Sequence, residues 1–164
     1  MRNNDLPDFS VCLEATHHGP DVSVPVLNLE IGSNQEAWED EKAAEVIVKV
    51  VQDILANFKP NKRDASIVVG GDHYMRNIVP LMQNRLGNQE IINDKIVIGH
   101  MCPSNQVDNF TKETLAEAIS KTDVLVKDVI IDLAAVGQHA LRLKKIITNA
   151  GLEVKYLHKI IVSD

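Results

Sequence analysis

The hydrophobic pattern changes period along the chain. From Phe9 to Thr16 apolar and polar residues alternate, with Val11, Leu13 and Ala15 on one side and Cys12, Glu14 and Thr16 on the other. Such alternation predicts a half-buried strand. The turn-rich stretch His17-His18-Gly19-Pro20-Asp21 leads to a second alternating run, Val24 to Ile31. The short link predicts an antiparallel pair. The period then lengthens: Ala44, Ile47, Val48, Val51, Ile54, Leu55 and Phe58 recur at helical spacing. Ser33 and Glu36 have capping-box spacing ahead of them, and Glu36, Glu39, Asp40 and Glu41 suit the positive end of a helix. One helix is predicted from Glu36 to Phe58, stopped by Lys59-Pro60-Asn61.

Beyond this point short apolar runs alternate with helical periods. Strands are predicted at Ser66–Val69, Lys95–Ile98 and Lys127–Asp132, with a last one from Val154–Leu157 and Ile160–Val162. Helices are predicted at Asn77–Leu86, Thr111–Lys121 and Gln138–Asn149, the last ended by Gly151 in a left-handed conformation. The alternation predicts a three-layer α/β fold, a mostly parallel sheet with helices on both faces. In such folds ligands bind beyond the carboxyl ends of the strands. The 164 residues contain no internal repeat, and a single domain spanning 1–164 is expected, with residues 1–8 as a loose arm.

Composition narrows the choice of partner. The net charge is −6 and aromatic content is 4%, so neither a counterion-displacing basic face nor a base-stacking platform is expected. DNA is not an expected partner, and any RNA contact must be local, at an end of the RNA. Arg142, Lys144 and Lys145 read as a solvated helix face. No apolar run approaches the roughly 20 residues of a membrane span, so no membrane partner is expected, and the polar start Met1-Arg2-Asn3-Asn4-Asp5 predicts a cytoplasmic location. Cys12 and Cys102 form no CxxC pair and no disulfide framework.

The strand-end rule selects histidines. His17 and His18 follow the first predicted strand, His73 the strand ending at Val69, and His100 the strand ending at Ile98. Neutral imidazole serves as a general base or as a zinc ligand. Glu14 shares a strand face with Thr16 and points toward the His17-His18 end, where a carboxylate could orient a histidine. Glu30, His139 and His158 read as structural or surface residues. Gly70-Gly71 would let the backbone approach a ligand closely, but no GK[ST] or GxGxxG follows, which argues against a nucleotide loop. Cys102, two residues after His100, has no geometry that makes it a nucleophile.

These motifs carry a resemblance. Leu13-Glu14-Ala15-Thr16-His17-His18-Gly19-Pro20 resembles the EATHHGP signature of the archaeal and plant type of D-aminoacyl-tRNA deacylase. Leu29-Glu30-Ile31-Gly32-Ser33 with Trp38 resembles its next block, Gly70-Gly71 with His73-Tyr74 its GGxHY block, and Gly99-His100 with Pro103 its GHxxP block. Asp132 and the segment from Arg142 to Val154 fit its final section more loosely. The resemblance implies a phosphorylase- or peptidyl-tRNA-hydrolase-like α/β fold. It also implies hydrolysis of the ester joining a D-amino acid to the acceptor end of tRNA, with zinc as cofactor. It places Glu14, His18, His73 and His100 as catalytic residues, His18, His73 and His100 as metal ligands, and His17, Gly70, Gly71 and Tyr74 against the substrate.

The sequence departs from the family at Met75-Arg76, where a small residue and proline are usual, at Ser104-Asn105, where Lys-Tyr is usual, and at Leu133-Ala134-Ala135, where a lysine is usual. Family members also carry a further N-terminal half before the motif that opens here at Glu14. A homo-oligomer, or a separate chain supplying the missing half, is therefore expected. Two other functions stand beside the deacylase: a non-catalytic binding or partner subunit that keeps the fold, and a hydrolase of smaller esters or amides.

Overall fold

The computed structural model describes residues 6–15, 22, 24, 26–59, 63–82, 85–86, 89–90 and 96–162. Contacts divide the chain into two compact units, Met1–Val11 with Val22–Asn61, and Cys12–Asp21 with Lys62–Asp164.

The first unit carries helices α1 (Gln35–Trp38) and α2 (Glu41–Asn57) where one continuous helix was expected. The interruption has a local cause. Asp40 is extended, at φ −72° and ψ 107°, and its carboxylate accepts the Ala43 N–H at 2.8 Å, which starts a new helix. Asn34, one residue after the predicted cap Ser33, caps α1 through the Ala37 N–H. The antiparallel pair expected from the two alternating runs is not formed, since Phe9–Ala15 and Val26–Ile31 make no β-ladder among the described residues. Alternation suits a pleated surface, but a strand also needs a neighbouring edge for its backbone groups.

In the second unit the chain runs through β1 (Ala65–Val69), α3 (Val79–Met82), the short strands β2 (Arg85–Leu86) and β3 (Gln89–Glu90), β4 (Val97–Cys102) and a 3-10 segment (Ser104–Asn109). It continues through α4 (Lys112–Ser120), β5 (Val126–Ile131), α5 (Leu133–Val136), a 3-10 turn (Gly137–His139), α6 (Ala140–Asn149), β6 (Glu153–Tyr156) and α7 (Leu157–Val162). Four strands form one sheet in the order β4-β1-β5-β6, with every neighbouring pair parallel. β2 and β3 pair antiparallel where the predicted helix Asn77–Leu86 was to end, so its helical part shrinks to α3.

Both faces of the sheet are covered, so the expected three-layer α/β architecture is the one that forms. Ile67, Val69, Val129 and Ile131 pack against Phe110, Leu115, Val136, Leu143 and Ile147. On the other face Val68 and Ile130 pack against Ala15, Met75, Ile78, Leu81 and Leu157. The predicted last strand forms over its first part as β6, whereas Ile160 joins that second cluster, which explains why Leu157 and Ile160–Val162 are helical. One helical turn brings Leu157 and Ile160 to the same side, and that packing outweighs the strand preference of Ile161 and Val162.

Two features of this sheet position the chemistry. First, the chain leaves β1 toward the Met75–Leu81 face and leaves β5 toward the α5–α6 face. Adjacent strands whose connections diverge leave a crevice at their carboxyl ends. Second, β4 contains a bulge. Ser66 pairs with Ile98 but Ile67 pairs with His100, so Gly99 has no opposite number on β1.

Candidate functional site

Glu14 and His73 meet. His73 stands in the loop after β1, as the sequence places it, and its carbonyl accepts the Ala15 N–H at 2.9 Å. That bond ties the Glu14 segment to the loop and brings His73 Nε2 to 2.6 Å from Glu14 Oε1. Tyr74 packs edge-on to the imidazole, with ring centroids 5.0 Å apart. Arg76 lies 4.8 Å above the Tyr74 ring and binds Asp72 Oδ2 at 2.7 Å. The chain turns back through Met75, which is fully buried and left-handed at φ 48°. The family departures at Met75 and Arg76 thus serve the core and the loop.

His100 does not lie beyond a strand end, as expected, but within β4, because the strand continues to Cys102. The bulge decides where it points. Ile98 and Met101 pack on the Val68 face, while Cys102 packs on the opposite one. By alternation His100 joins Cys102 and faces α4. Burial pushes the His100 pKa below its ordinary 6.5, the Lys121 ammonium lowers it further, and Glu117 opposes the change. Its folded pKa is depressed, so the unfolded chain binds the extra proton first as pH falls below 6.5. The His100 contribution to stability is therefore complete above pH 6.5 and lost on acidification through the lower folded value. Thermal melts with chelator present should show stability rising with pH across this window, and His100→Gln should flatten the rise.

His73 and His100 line one cavity of about 490 Å³, together with Ala15, Cys102, Asn105 and Thr114. Burial raises the Cys102 thiol to about 11, so at neutral pH it is protonated and no nucleophile. His17 and His18 lie outside the described residues. Among the described residues no three His, Cys, Asp or Glu side chains group as a metal would require. Gly70 and Gly71 have φ of 104° and 101°, and the room that a Cβ would need is taken by Asp132 and Asn77. Their missing side chains admit two other side chains of this protein. Glu30 belongs to the first unit. His139 pairs with Asp108 at 3.4 Å, and His158 stacks on Tyr156. Arg142 is not a solvated cation: its guanidinium donates to the carbonyls of Phe110 and Val107 at 2.8 and 2.6 Å.

Sequence reasoning did not find a second cavity, of about 400 Å³, where β1, β4 and β5 end. Asp72, Arg76, Asn77, Ser104, Asp132 and Ala135 line it. Applying the strand-end rule to acids as well as histidines would have picked out Asp132. Nothing in the sequence marks Asn77.

A parallel α/β sheet with cavities at its strand ends, one of them lined by His73 beside its Glu14 contact, defines the chain as an α/β protein of the kind that binds ligands at strand ends. Comparison with known proteins is more specific. The family model described as D-aminoacyl-tRNA deacylase matches residues 1–155, and the chain belongs to that family. A D-aminoacyl-tRNA deacylase of Thermococcus kodakarensis is 31% identical over 135 residues, 80% of this chain and 46% of that protein. One from Pyrococcus abyssi is 29% identical over 157 residues, 93% of this chain and 54% of the relative. A crystal structure described as a conserved protein of unknown function, AF0625, superposes with a TM-score of 0.77 at 27% identity, over 96% of this chain and 52% of that one. The chain thus spans about half the length of the curated relatives it matches.

Proposed function

We propose that this protein hydrolyses the ester joining a D-amino acid to the 3′ end of tRNA, releasing free D-amino acid and tRNA, with His73 as general base. The observation that carries this is the 2.6 Å contact between His73 Nε2 and Glu14 Oε1 at the wall of a cavity that also holds His100. A carboxylate on Nε2 keeps the proton there and assigns the basic lone pair to Nδ1. His73 takes a proton from water as the oxygen attacks the ester carbonyl. The imidazolium then returns the proton to the departing 3′ oxygen. His100, held neutral by its surroundings, can donate an N–H to the oxygen that gains charge.

Zinc on His18, His73 and His100 would be an alternative form of this site, since the Nδ1 lone pair of His73 can hold the ion or take the proton but not both, and His17, Gly70, Gly71 and Tyr74 would lie along the substrate. The described residues fit such an ion in part only: His73 and His100 share a cavity, but Nε2 of His73 is engaged by Glu14. When bound, zinc would supply a Lewis acid and lower the pKa of water. No step above depends on it. A cytoplasmic site of action and a homo-oligomer, or a complex with a second chain, complete the proposal.

The binding-subunit alternative has its own support. Arg76 is committed to Asp72, and Ser104 donates to the Gly71 carbonyl at 2.8 Å, so neither of these departures supplies a cation to the His73 cavity. The deciding assay is turnover of D-tyrosyl-tRNA and L-tyrosyl-tRNA by the pure protein, with and without added zinc, alongside light scattering. Release of D-tyrosine at least ten times faster than L-tyrosine, or roughly 1.4 kcal/mol of discrimination, is expected. Failure to hydrolyse either ester, even with cell lysate supplying a partner, would favour binding over catalysis.

A further inference from the structure

The first unit has almost no interior of its own. Among its described residues only Ala43 is buried. The helical period seen in the sequence divides, once α2 is built, into two strips. Ile47 and Ile54, with Val46 and Val50, are partly buried. Ala44, Val48, Val51, Leu55 and Phe58 are all exposed, Leu55 at 81% and Phe58 at 72%. These five follow one another at alternating steps of four and three residues. That spacing sets them within about 80° of one another around the helix axis. A strip so narrow and regular is the seam by which one helix packs along another. The charged groups Glu45 and Lys49 pair with each other to one side of it, at 3.7 Å.

We infer that this seam is an interface between two copies of the chain, with their α2 helices packed antiparallel about Val51. In that orientation the seam is complementary to itself. Its first member, Ala44, is the smallest and its last, Phe58, the largest, and each stands seven residues from Val51. Reversing one copy brings Phe58 of each helix beside Ala44 of the other, and Val48 beside Leu55. A parallel pair would crowd phenylalanine against phenylalanine and leave a gap between the alanines. The charges agree. Asp40 and Glu41 stand at the N-terminal end of α2, no acid follows Asp53 in the helix, and Lys59 comes just after it. Antiparallel packing puts each acidic end beside the other copy's lysine and brings opposite ends of the two macrodipoles together, whereas parallel packing sets acid against acid. A patch that matches its own copy about a two-fold axis is what a closed dimer needs. The seam is about 21 Å long. An interface of that size is small, so the dimer forms at micromolar concentrations. The homo-oligomer of the preceding reading thereby gains a surface and an orientation, and neither depends on the ester chemistry.

Sedimentation equilibrium of the full chain tests this, from about 1 to about 500 µM, the range a small interface calls for. Wild type is compared with Leu55→Glu and with Val48→Lys/Leu55→Glu, and circular dichroism checks that all three fold alike. Leu55→Glu places a carboxylate on an exposed position of the seam. Adding Val48→Lys sets an ammonium opposite each new carboxylate in an antiparallel pair, but like charge against like in a parallel one. Wild type should dimerise. Leu55→Glu should weaken the dimer roughly 100-fold, since each dimer loses two buried leucines. The double variant should recover about 10-fold or more of that loss. A wild type that stays monomeric throughout overturns the inference, and so does a dimer that Leu55→Glu leaves unchanged. A double variant no better than the single one overturns the antiparallel seam. A monomeric wild type that instead binds the part of the Pyrococcus abyssi relative outside the matched region assigns the seam to that other half and overturns self-pairing. Mass is read without substrate, so each of these outcomes leaves the ester hydrolysis to its own assay.

Discussion

Glu14→Gln should reduce kcat/KM for D-tyrosyl-tRNA about as severely as His73→Ala, by roughly 10²- to 10⁴-fold, the usual share of a general base. The substitution keeps shape and removes a charge, so the expected severity comes from the proton. A carboxylate 2.6 Å from Nε2 accepts a hydrogen bond, and the ring must carry its proton there. A glutamine amide can rotate and donate to Nε2 instead. The proton would then move to Nδ1, and the nitrogen assigned to take a proton from water would no longer have a lone pair for it. Residues acting as one unit are not additive, so the Glu14→Gln/His73→Ala double variant should be no worse than either single one. Kinetics of the three variants beside circular dichroism check this. Losses that multiply in the double variant would show two independent contributions and remove the coupled pair from the mechanism.

Lys155→Met should lower stability by about 3 kcal/mol, the lower end of the range for breaking a buried ion pair. Asp128 on β5 is fully buried, Lys155 Nζ lies 2.6 Å from its Oδ2, and Oδ1 has no partner. Without the ammonium, the carboxylate would be desolvated and uncompensated. The lower end applies because Lys155 remains partly exposed and water can enter beside it. For a chain of this size the loss corresponds to a fall in melting temperature of roughly 10 °C. Replacing both partners, as Asp128→Leu with Lys155→Met, should recover most of it, since an apolar pair can substitute for a buried ion pair without penalty. Urea melts of the two single variants and the double one test the point. A double variant less stable than Lys155→Met alone would show that Asp128 has a structural task besides its partner.

The sequence is most informative where one interaction dominates. Ile67–Val69 of β1 and Val129–Ile131 of β5 are unbroken apolar runs because both faces of a central parallel strand are covered, and α4 and α6 follow the helical period of Leu115 and Leu143. His100-Met101-Cys102 reads as a loop because histidine after glycine breaks the apolar run, yet the strand continues through it. Ile160–Val162 reads as part of the last strand because its place in a helix is set by a distant cluster around Ala15 and Met75. The candidate site divides similarly. His73 and Glu14 were visible as types and positions, whereas their contact depends on the Ala15–His73 backbone bond between segments far apart in sequence. The second cavity was not visible, since Asn77 and Asp132 become neighbours only when β1 and β5 lie side by side. His17 and His18 fall outside the described residues, so their part in the site rests on the family motif.

The unopposed Gly99 makes β4 a strand whose length counts. Side chains on a strand change sides with each residue, and the bulge absorbs one such step, so Ile98 stays opposite Ser66 while His100 stays opposite Ile67. Loss of Gly99 would therefore leave Ile98, His100, Met101 and Cys102 facing their present partners in a regular ladder. A residue gained beside it would have to widen the bulge or slip the strand by one, and a slip turns His100 away from α4. Aligned sequences that preserve the chemistry should therefore shorten here more readily than they lengthen.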